Sequence, residues 1–126
     1  MLSNAKLQGA DLSSCDLSGV NLSSADLRGA KLQGARLPAW SSGLLEGVKL
    51  AGAEGWMPAD KDLANAKLKG ADISDSDLSG FDLRGADFSE SNLQKVNLAN
   101  VKLQCTSLPA WSSGLLEGVT LAGAEG

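Results

Sequence analysis

Carboxylates, serines, two cysteines and three tryptophans are the side chains of this chain with chemistry to offer, and no histidine accompanies them. That absence removes the usual general base and the commonest zinc ligand. Asp and Ser are abundant enough to suggest paired acids or a hydroxyl nucleophile. They recur at fixed places along the chain, however, so no pair stands apart from its column and no catalytic residue is assigned. Calcium has neither a GGxGxD nonapeptide nor an EF-hand loop to bind, and the glycines lack the GxxxxGK[ST] context of a phosphate cradle. The sequence therefore assigns no metal site and no cofactor. What remains is Trp40, Trp56 and Trp111, three large rings in a chain with only 4% aromatic residues.

The elements that must position these residues are set by one spacing. Leu2, Leu7, Leu12, Leu17, Leu22, Leu27, Leu32 and Leu37 fall one every five residues, and the series restarts at Leu63, Leu68, Ile73, Leu78, Leu83, Phe88, Leu93, Leu98, Leu103 and Leu108. On an α-helix a step of five advances about 500°, so the leucines would scatter around the barrel. On a flat strand an odd step sends successive leucines to opposite faces. The chain must turn between leucines. A quarter circle per pentad points every leucine at one axis and closes a coil in about twenty residues, at the short end of the solenoid range.

With the leucine position as the centre of each pentad, the other columns acquire roles. Two residues before it stand small side chains such as Ala5, Ala10, Ala25, Ala30, Ala66, Ala71 and Ala86, which can share the interior with leucine and leave no pore. Cys15 falls in this inward column, and the expectation is a small core residue. Cys105 falls at a surface corner about four coils away, too far for a disulfide. One residue before the centre the column is polar, as at Asp11, Asp16, Asp26, Lys31, Asp72, Asp77 and Asp82, and it is expected to face out. Two after the centre come Gly9, Gly19, Gly29, Gly70, Gly80 and Gly85, alternating with Asn4, Ser14, Asn65 and Asp75, the residue types that accept tight corners.

Blocks such as Ala10-Asp11-Leu12-Ser13-Ser14, Ala25-Asp26-Leu27-Arg28-Gly29 and Ala71-Asp72-Ile73-Ser74-Asp75 resemble the A(D/N)Lxx signature of the pentapeptide-repeat family. The resemblance covers nearly the whole chain. It implies an all-β fold, a right-handed quadrilateral parallel β-helix, with the centre and the residue two before it pointing inward. It also brings an alternative function, because some members of that family mimic DNA and inhibit type II topoisomerases.

The departures from the period are local. Leu37 to Leu45 spans eight residues, with three extra near 38–42; Gly55 to Leu63 spans eight, with three extra near 56–60. The first insertion recurs near 109–113, since Leu37–Gly55 and Leu108–Gly126 differ only at Lys49 and Thr120, an offset of 71 residues. Residues 72–107 align more loosely with 1–36 at the same offset. Counting centres predicts about six coils and a rod roughly 30 Å long at a strand spacing of about 4.8 Å. Thirteen centres separate the first and last insertions, so their loops should leave on adjacent faces. All three tryptophans lie at or beside insertions. Each ring either folds back to seal a widened corner or anchors a protein partner, and partial exposure would favour the second.

Net charge is −4 and the sequence pI is near 4.7, which argues against binding nucleic acid or an anionic membrane surface. No run of about eighteen apolar residues is present to span a membrane. Met1 leads straight into a pentad, leaving no room for a signal peptide, and the compartment stays unassigned. Residues 1–126 read as a single solenoid, and neither end carries a cap over its apolar interior, so the expectation is a segment of a longer array or ends that stack on neighbouring chains. These features predict a non-enzymatic scaffold or protein-interaction rod, with Trp40, Trp56 and Trp111 as candidate partner contacts. The topoisomerase reading requires a continuous acidic surface, whereas residues twenty apart place Asp11 over Lys31, Asp16 over Arg36 and Asp82 over Lys102.

Overall fold

A computed structural model describes residues 2–126. The pentad centred on Leu83 shows why the repeat folds as it does, because each of its five amide hydrogens has a partner. Phe81 N–H donates to Leu78 O (3.1 Å), Asp82 N–H to Lys61 O (3.0 Å), Leu83 N–H to Lys102 O (3.0 Å) and Gly85 N–H to Gln104 O (3.0 Å). The fifth, Arg84 N–H, has no main-chain acceptor and donates to Asp82 Oδ1 at 3.1 Å. Three bonds thus join the pentad to the coils on either side, one closes a turn, and the aspartate before the centre supplies the last. Buried or half-buried amides require this complete accounting.

The same logic places the special residues. Leu83 O accepts Ala86 N–H at 3.0 Å across a turn whose third residue, Gly85, has φ 72°, the geometry of a type II turn. Pro38 and Pro109 directly follow the centres Leu37 and Leu108, at the one pentad position whose N–H the main-chain network does not use.

Parallel bridges fix the register. Lys6 pairs with Asp26, Asp11 with Lys31, Asp16 with Arg36, Lys67 with Asp87, and Asp77 with Asn97, each twenty residues apart. Four pentads therefore make one turn. Where an insertion intervenes the offset becomes 23, as at Asp26–Lys49 and Lys49–Asp72. Each side contributes a single bridged residue, so no strand is longer than a bridge, and the only helical turns among the described residues are 3-10 turns at Trp40–Ser42 and Trp111–Ser113. We number the sides one to four from the pentads of Leu2, Leu7, Leu12 and Leu17.

The axis is filled by centre residues. Leu22, Leu27, Leu32, Leu45, Leu50, Leu63, Leu68, Ile73, Leu78, Leu83, Phe88, Leu93 and Leu98 are buried, with Ala25, Ala30, Val48, Ala66, Ala71, Ala86, Val96 and Val101 between them. Of the three hydroxyl residues in that small column, Ser76, Ser91 and Thr106, two bond the coil before: Ser91 Oγ donates to Leu68 O and Thr106 Oγ1 to Leu83 O, both at 2.6 Å. Phe81 also occupies the small column. It lines a shallow groove with Met57, Pro58 and Lys61, where the second insertion widens the corner enough to take a ring.

Two expectations are corrected here. Cys15 is exposed, not a core residue, because it sits in the coil at the open edge of the described rod, where Leu2, Leu7 and Leu12 are also only half-buried. The polar column does not face out throughout. Asp26 is 7% exposed, enclosed by the Arg28 guanidinium and the Gln8 amide, and Asp72, Asp82 and Asp87 are half-buried.

One level of the rod is bonded unlike the rest. Between the turn containing Leu37–Gly55 and the turn containing Leu63–Leu78, the backbone bonds are Gly47 N–H to Lys69 O, Leu50 N–H to Asp72 O, Lys67 N–H to Trp40 O and Asp72 N–H to Val48 O. Leu37 and Gly55 donate no main-chain bond to Asp62 or Asp77 across this level. The two insertions leave at neighbouring corners and push the flanking sides out of hydrogen-bond reach, producing a seam.

Candidate interaction surface

Trp40 and Trp56 close the seam. Their centroids lie 5.7 Å apart with planes at 60°, a tilted aromatic pair, and Trp56 is only 4% exposed. Trp40 is half-buried, and its carbonyl accepts the Lys67 N–H at 2.7 Å. Both rings fold back over a widened corner. Trp111 occupies the same place in a nearly identical nineteen-residue segment, yet its ring is 66% exposed. The backbone is not the reason: the turn at Trp111–Ser113 repeats that at Trp40–Ser42, each ending in a glycine with φ 82° or 83°. The difference is that no second ring meets Trp111 within the described residues.

The first insertion follows Leu37 on side four, where Asp16 bridges Arg36, and the last follows Leu108 on side one, where Asp87 bridges Ser107. The two 3-10 loops therefore project at neighbouring corners. Of the three tryptophans, Trp111 is exposed, Trp40 half-buried and Trp56 buried.

Charge along the sides is mixed, with acids and bases alternating on side two and acids adjoining at Asp62 and Asp82 on side four. Side two runs Lys6, Asp26, Lys49, Asp72; side three runs Asp11, Lys31, Glu54; side four carries Asp16 with Arg36, then Asp62, Asp82 and Lys102. The acids are also engaged by their own pentads. Serine hydroxyls and amides two residues on hold Asp11, Asp16, Asp77 and Asp87 below the usual carboxylate range. Asp82 is pulled to about 2, chiefly by Arg84, whose Nε and Nη2 reach its two oxygens at 2.9 and 2.7 Å. Asp26 is pulled to about 2 by the same fork from Arg28, with Gln8 Nε2 at 2.7 Å as a further donor. Such carboxylates act as permanent hydrogen-bond acceptors for the turn, ionised at neutral pH, and not as proton donors. Among the described residues no group of three or more Cys, Asp or Glu is placed to hold a metal ion. Among the described residues no helix is long and apolar enough to cross a membrane.

The sequence showed that rings stand at the insertions, but not which ring meets which. Trp40 and Trp56 are three centres apart along the chain, and they touch because both insertions open corners bordering side four. The capping role of the Asp and Asn column was equally hidden, although its signal was present in the recurrent Asp-Leu-Ser and Asp-Leu-Arg blocks.

The family described as pentapeptide repeats (8 copies) matches residues 2–37, 60–85 and 66–104. Among solved structures, HetL, a pentapeptide repeat protein involved in heterocyst differentiation regulation from the cyanobacterium Nostoc sp. strain PCC 7120, is 25% identical over 98% of this chain, with a TM-score of 0.45. A pentapeptide repeat protein from the Arabidopsis thaliana thylakoid lumen is 33% identical over 94% of this chain, TM-score 0.27. QnrB1, a plasmid-mediated fluoroquinolone resistance protein, is 22% identical over 99%, TM-score 0.43. The chain spans 62% of the length of each of these three. No curated protein matches it. With the family matched over more than half its length, on the pentads whose stacking is described above, the chain belongs to the pentapeptide-repeat family.

Proposed function

We propose that this chain is a non-catalytic scaffold, a rigid protein-interaction rod that forms part of a larger assembly. Twenty-four centres, four to a turn, make a single right-handed solenoid of about six coils, roughly 30 Å long at a spacing of about 4.8 Å per coil. The observation that carries the reading is the contrast between Trp40 and Trp111. Two near-identical segments present the same ring, one stacked on Trp56 and one 66% exposed on a projecting loop. An exposed tryptophan on a fixed turn is the side chain most enriched at protein-binding hot spots. Trp111 is the principal contact, with Trp40 at its margin and Trp56 serving as support. The partner is protein, either a different chain or another copy stacked end to end.

DNA mimicry of the kind that inhibits a type II topoisomerase needs an unbroken acidic face, and the alternation of Lys6, Asp26, Lys49 and Asp72 supplies the opposite. A gyrase supercoiling assay with micromolar protein separates the two readings. Unchanged supercoiling agrees with the scaffold; dose-dependent inhibition overturns it.

A further inference from the structure

We propose that the seam is a hinge. Residues 2–55 and 63–126 form two stiff bodies that bend apart on sides three and four, pivoting on the backbone bonds of sides one and two, with the Trp40–Trp56 pair as the latch. The pivot is visible in the bonding. Side one has Gly47 N–H to Lys69 O at 2.9 Å and Lys67 N–H to Trp40 O at 2.7 Å, and side two has Leu50 N–H to Asp72 O at 2.8 Å and Asp72 N–H to Val48 O at 2.9 Å. One level on, side three shows the ordinary pattern: Leu78 N–H to Asn97 O, Gly80 N–H to Ala99 O and Asn97 N–H to Ser76 O. At the seam, Gly55 and Asp77 N–H on that side have no main-chain acceptor, and neither has Leu37 N–H on side four. Asp62 N–H turns to Asp60 Oδ1 at 3.1 Å instead.

Side-chain burial marks the same two sides independently. Ala35, Leu37, Ala53 and Ser76 are half-buried although a coil lies on either side of each, whereas Val48, Leu50, Ala71 and Ile73, at the equivalent positions of side two, are buried. Solvent therefore reaches between the coils on sides three and four in the middle of the rod. Backbone groups there are hydrated already, so parting those sides breaks no ladder bond.

The covalent connection crosses at the opening itself. Residues 56–62 run along the corner between sides three and four, and Gly55 to Leu63 takes eight residues in place of the usual five. The bonds of this segment are local, such as Lys61 N–H to Pro58 O at 3.1 Å. Eight steps of chain reach about 26–29 Å when extended, so the segment restrains the opening only while it is pinned. Trp56 pins it. Gly55 offers no side chain at its centre position, and the ring beside it is buried in the core against Trp40. With that latch closed the two bodies move as the single rigid rod proposed above; with it open they flex as an array does at its least stable level. The inference goes beyond the scaffold reading and stands without it.

The chain carries its own reporters, because its two cysteines, Cys15 and Cys105, are exposed, border side four and lie one on each body. Spin labels on this native pair, read by double electron–electron resonance, measure the bend, with circular dichroism confirming that each variant is folded. Four coils give the pair a rise of about 19 Å with the seam closed. The unmodified chain should show mainly this short distance. Trp56→Ala should raise the fraction at longer distances by about 10-fold, Trp56→Phe should return most of the short distance, and Trp40→Ala should act like Trp56→Ala but more weakly. A pair within one body, Asp75→Cys with Cys105 in a Cys15→Ser chain, should keep its distance when Trp56→Ala is added. An unchanged Cys15–Cys105 distance in folded Trp56→Ala overturns the hinge; where that variant does not fold, an unchanged distance in Trp40→Ala does so. Equal broadening of the 75–105 pair also overturns it, since it marks general loosening, and an unmodified chain as broad as Trp56→Ala overturns the latch. A fixed distance with gyrase untouched removes the hinge and keeps the scaffold reading; a bending chain that inhibits gyrase does the reverse.

Discussion

Replacing Trp56 and replacing Trp111 by alanine are the same chemical change with very different expected costs. Trp56 is 4% exposed and packs on Trp40 across the seam; Trp111 is 66% exposed and meets no ring. A tryptophan buries about 150–250 Å², which at about 25 cal/mol per Å² gives an upper limit near 4–6 kcal/mol for full burial. Trp→Ala in cores costs about 3–5 kcal/mol, and Trp56→Ala is expected in that range. Trp111 leaves about a third of its surface to lose, so its replacement should cost at most about 1–2 kcal/mol. At about 4 °C per kcal/mol for a chain of this size, the melting temperatures of the two variants should lie roughly 10 °C apart. Far-ultraviolet circular dichroism is the suitable readout, since tryptophan fluorescence is altered by the substitutions themselves. Trp56→Ala has a second signature. Stability in a stacked array is a sum of local and nearest-neighbour terms, and the seam already has few backbone bonds, so losing the ring should separate the transition into two stages. Equal costs for Trp56→Ala and Trp111→Ala, or a single sharp transition with unchanged midpoint in Trp56→Ala, would refute the assignment of Trp56 as the seal of the seam.

Three further outcomes follow from the same geometry. Asp26 has a folded pKa of about 2 against an ordinary 3.8, so its contribution is fully present above about pH 5 and is lost as pH falls through 4 toward 2; removing the fork with Arg28→Ala should flatten that part of the stability–pH curve, read by urea titration at pH 2 to 6. Glu90 holds φ 59° at a corner that favours glycine, and Glu90→Gly should stabilise by about 0.5–1 kcal/mol in urea titration. Gly85→Ala should destabilise by about 1–2 kcal/mol, since φ is 72° and a Cβ there would press on Asn65 Oδ1 of the neighbouring coil.

Much of this architecture is legible in the chain because its determinants are local. Leu83 as centre, Ala86 as filler and Gly85 as corner follow from spacing within a pentad, and the structure places each accordingly. What escapes the sequence depends on which pentads lie one coil apart. Asp26 is buried because Gln8 and Arg28 both reach it, the first from a coil eighteen residues earlier. Cys15 belongs to the inward column by its register, yet it is exposed because burial also requires a coil on each side. The Trp40–Trp56 pair needs two insertions at neighbouring corners, which shift the register between coils by an amount that spacing alone gives, but whose meeting of rings it does not. The exposure of Trp111, the residue on which the functional reading depends most, is likewise a property of its neighbours and not of its own segment.

Amide hydrogen exchange resolved to single residues tests the winding itself. Across residues 63–104 the amides at the centre, at the two residues before it and at the corner two after it should exchange slowly, Asp77 at the seam excepted, while a dip recurs every five residues at the position after the centre, shallow where an Asp or Asn side chain accepts that amide and deepest at Lys69 and Gln104, which follow centres preceded by lysine. Uniform protection along that stretch, or protection with a period of two or near 3.6, would contradict a four-sided coil built on a leucine axis.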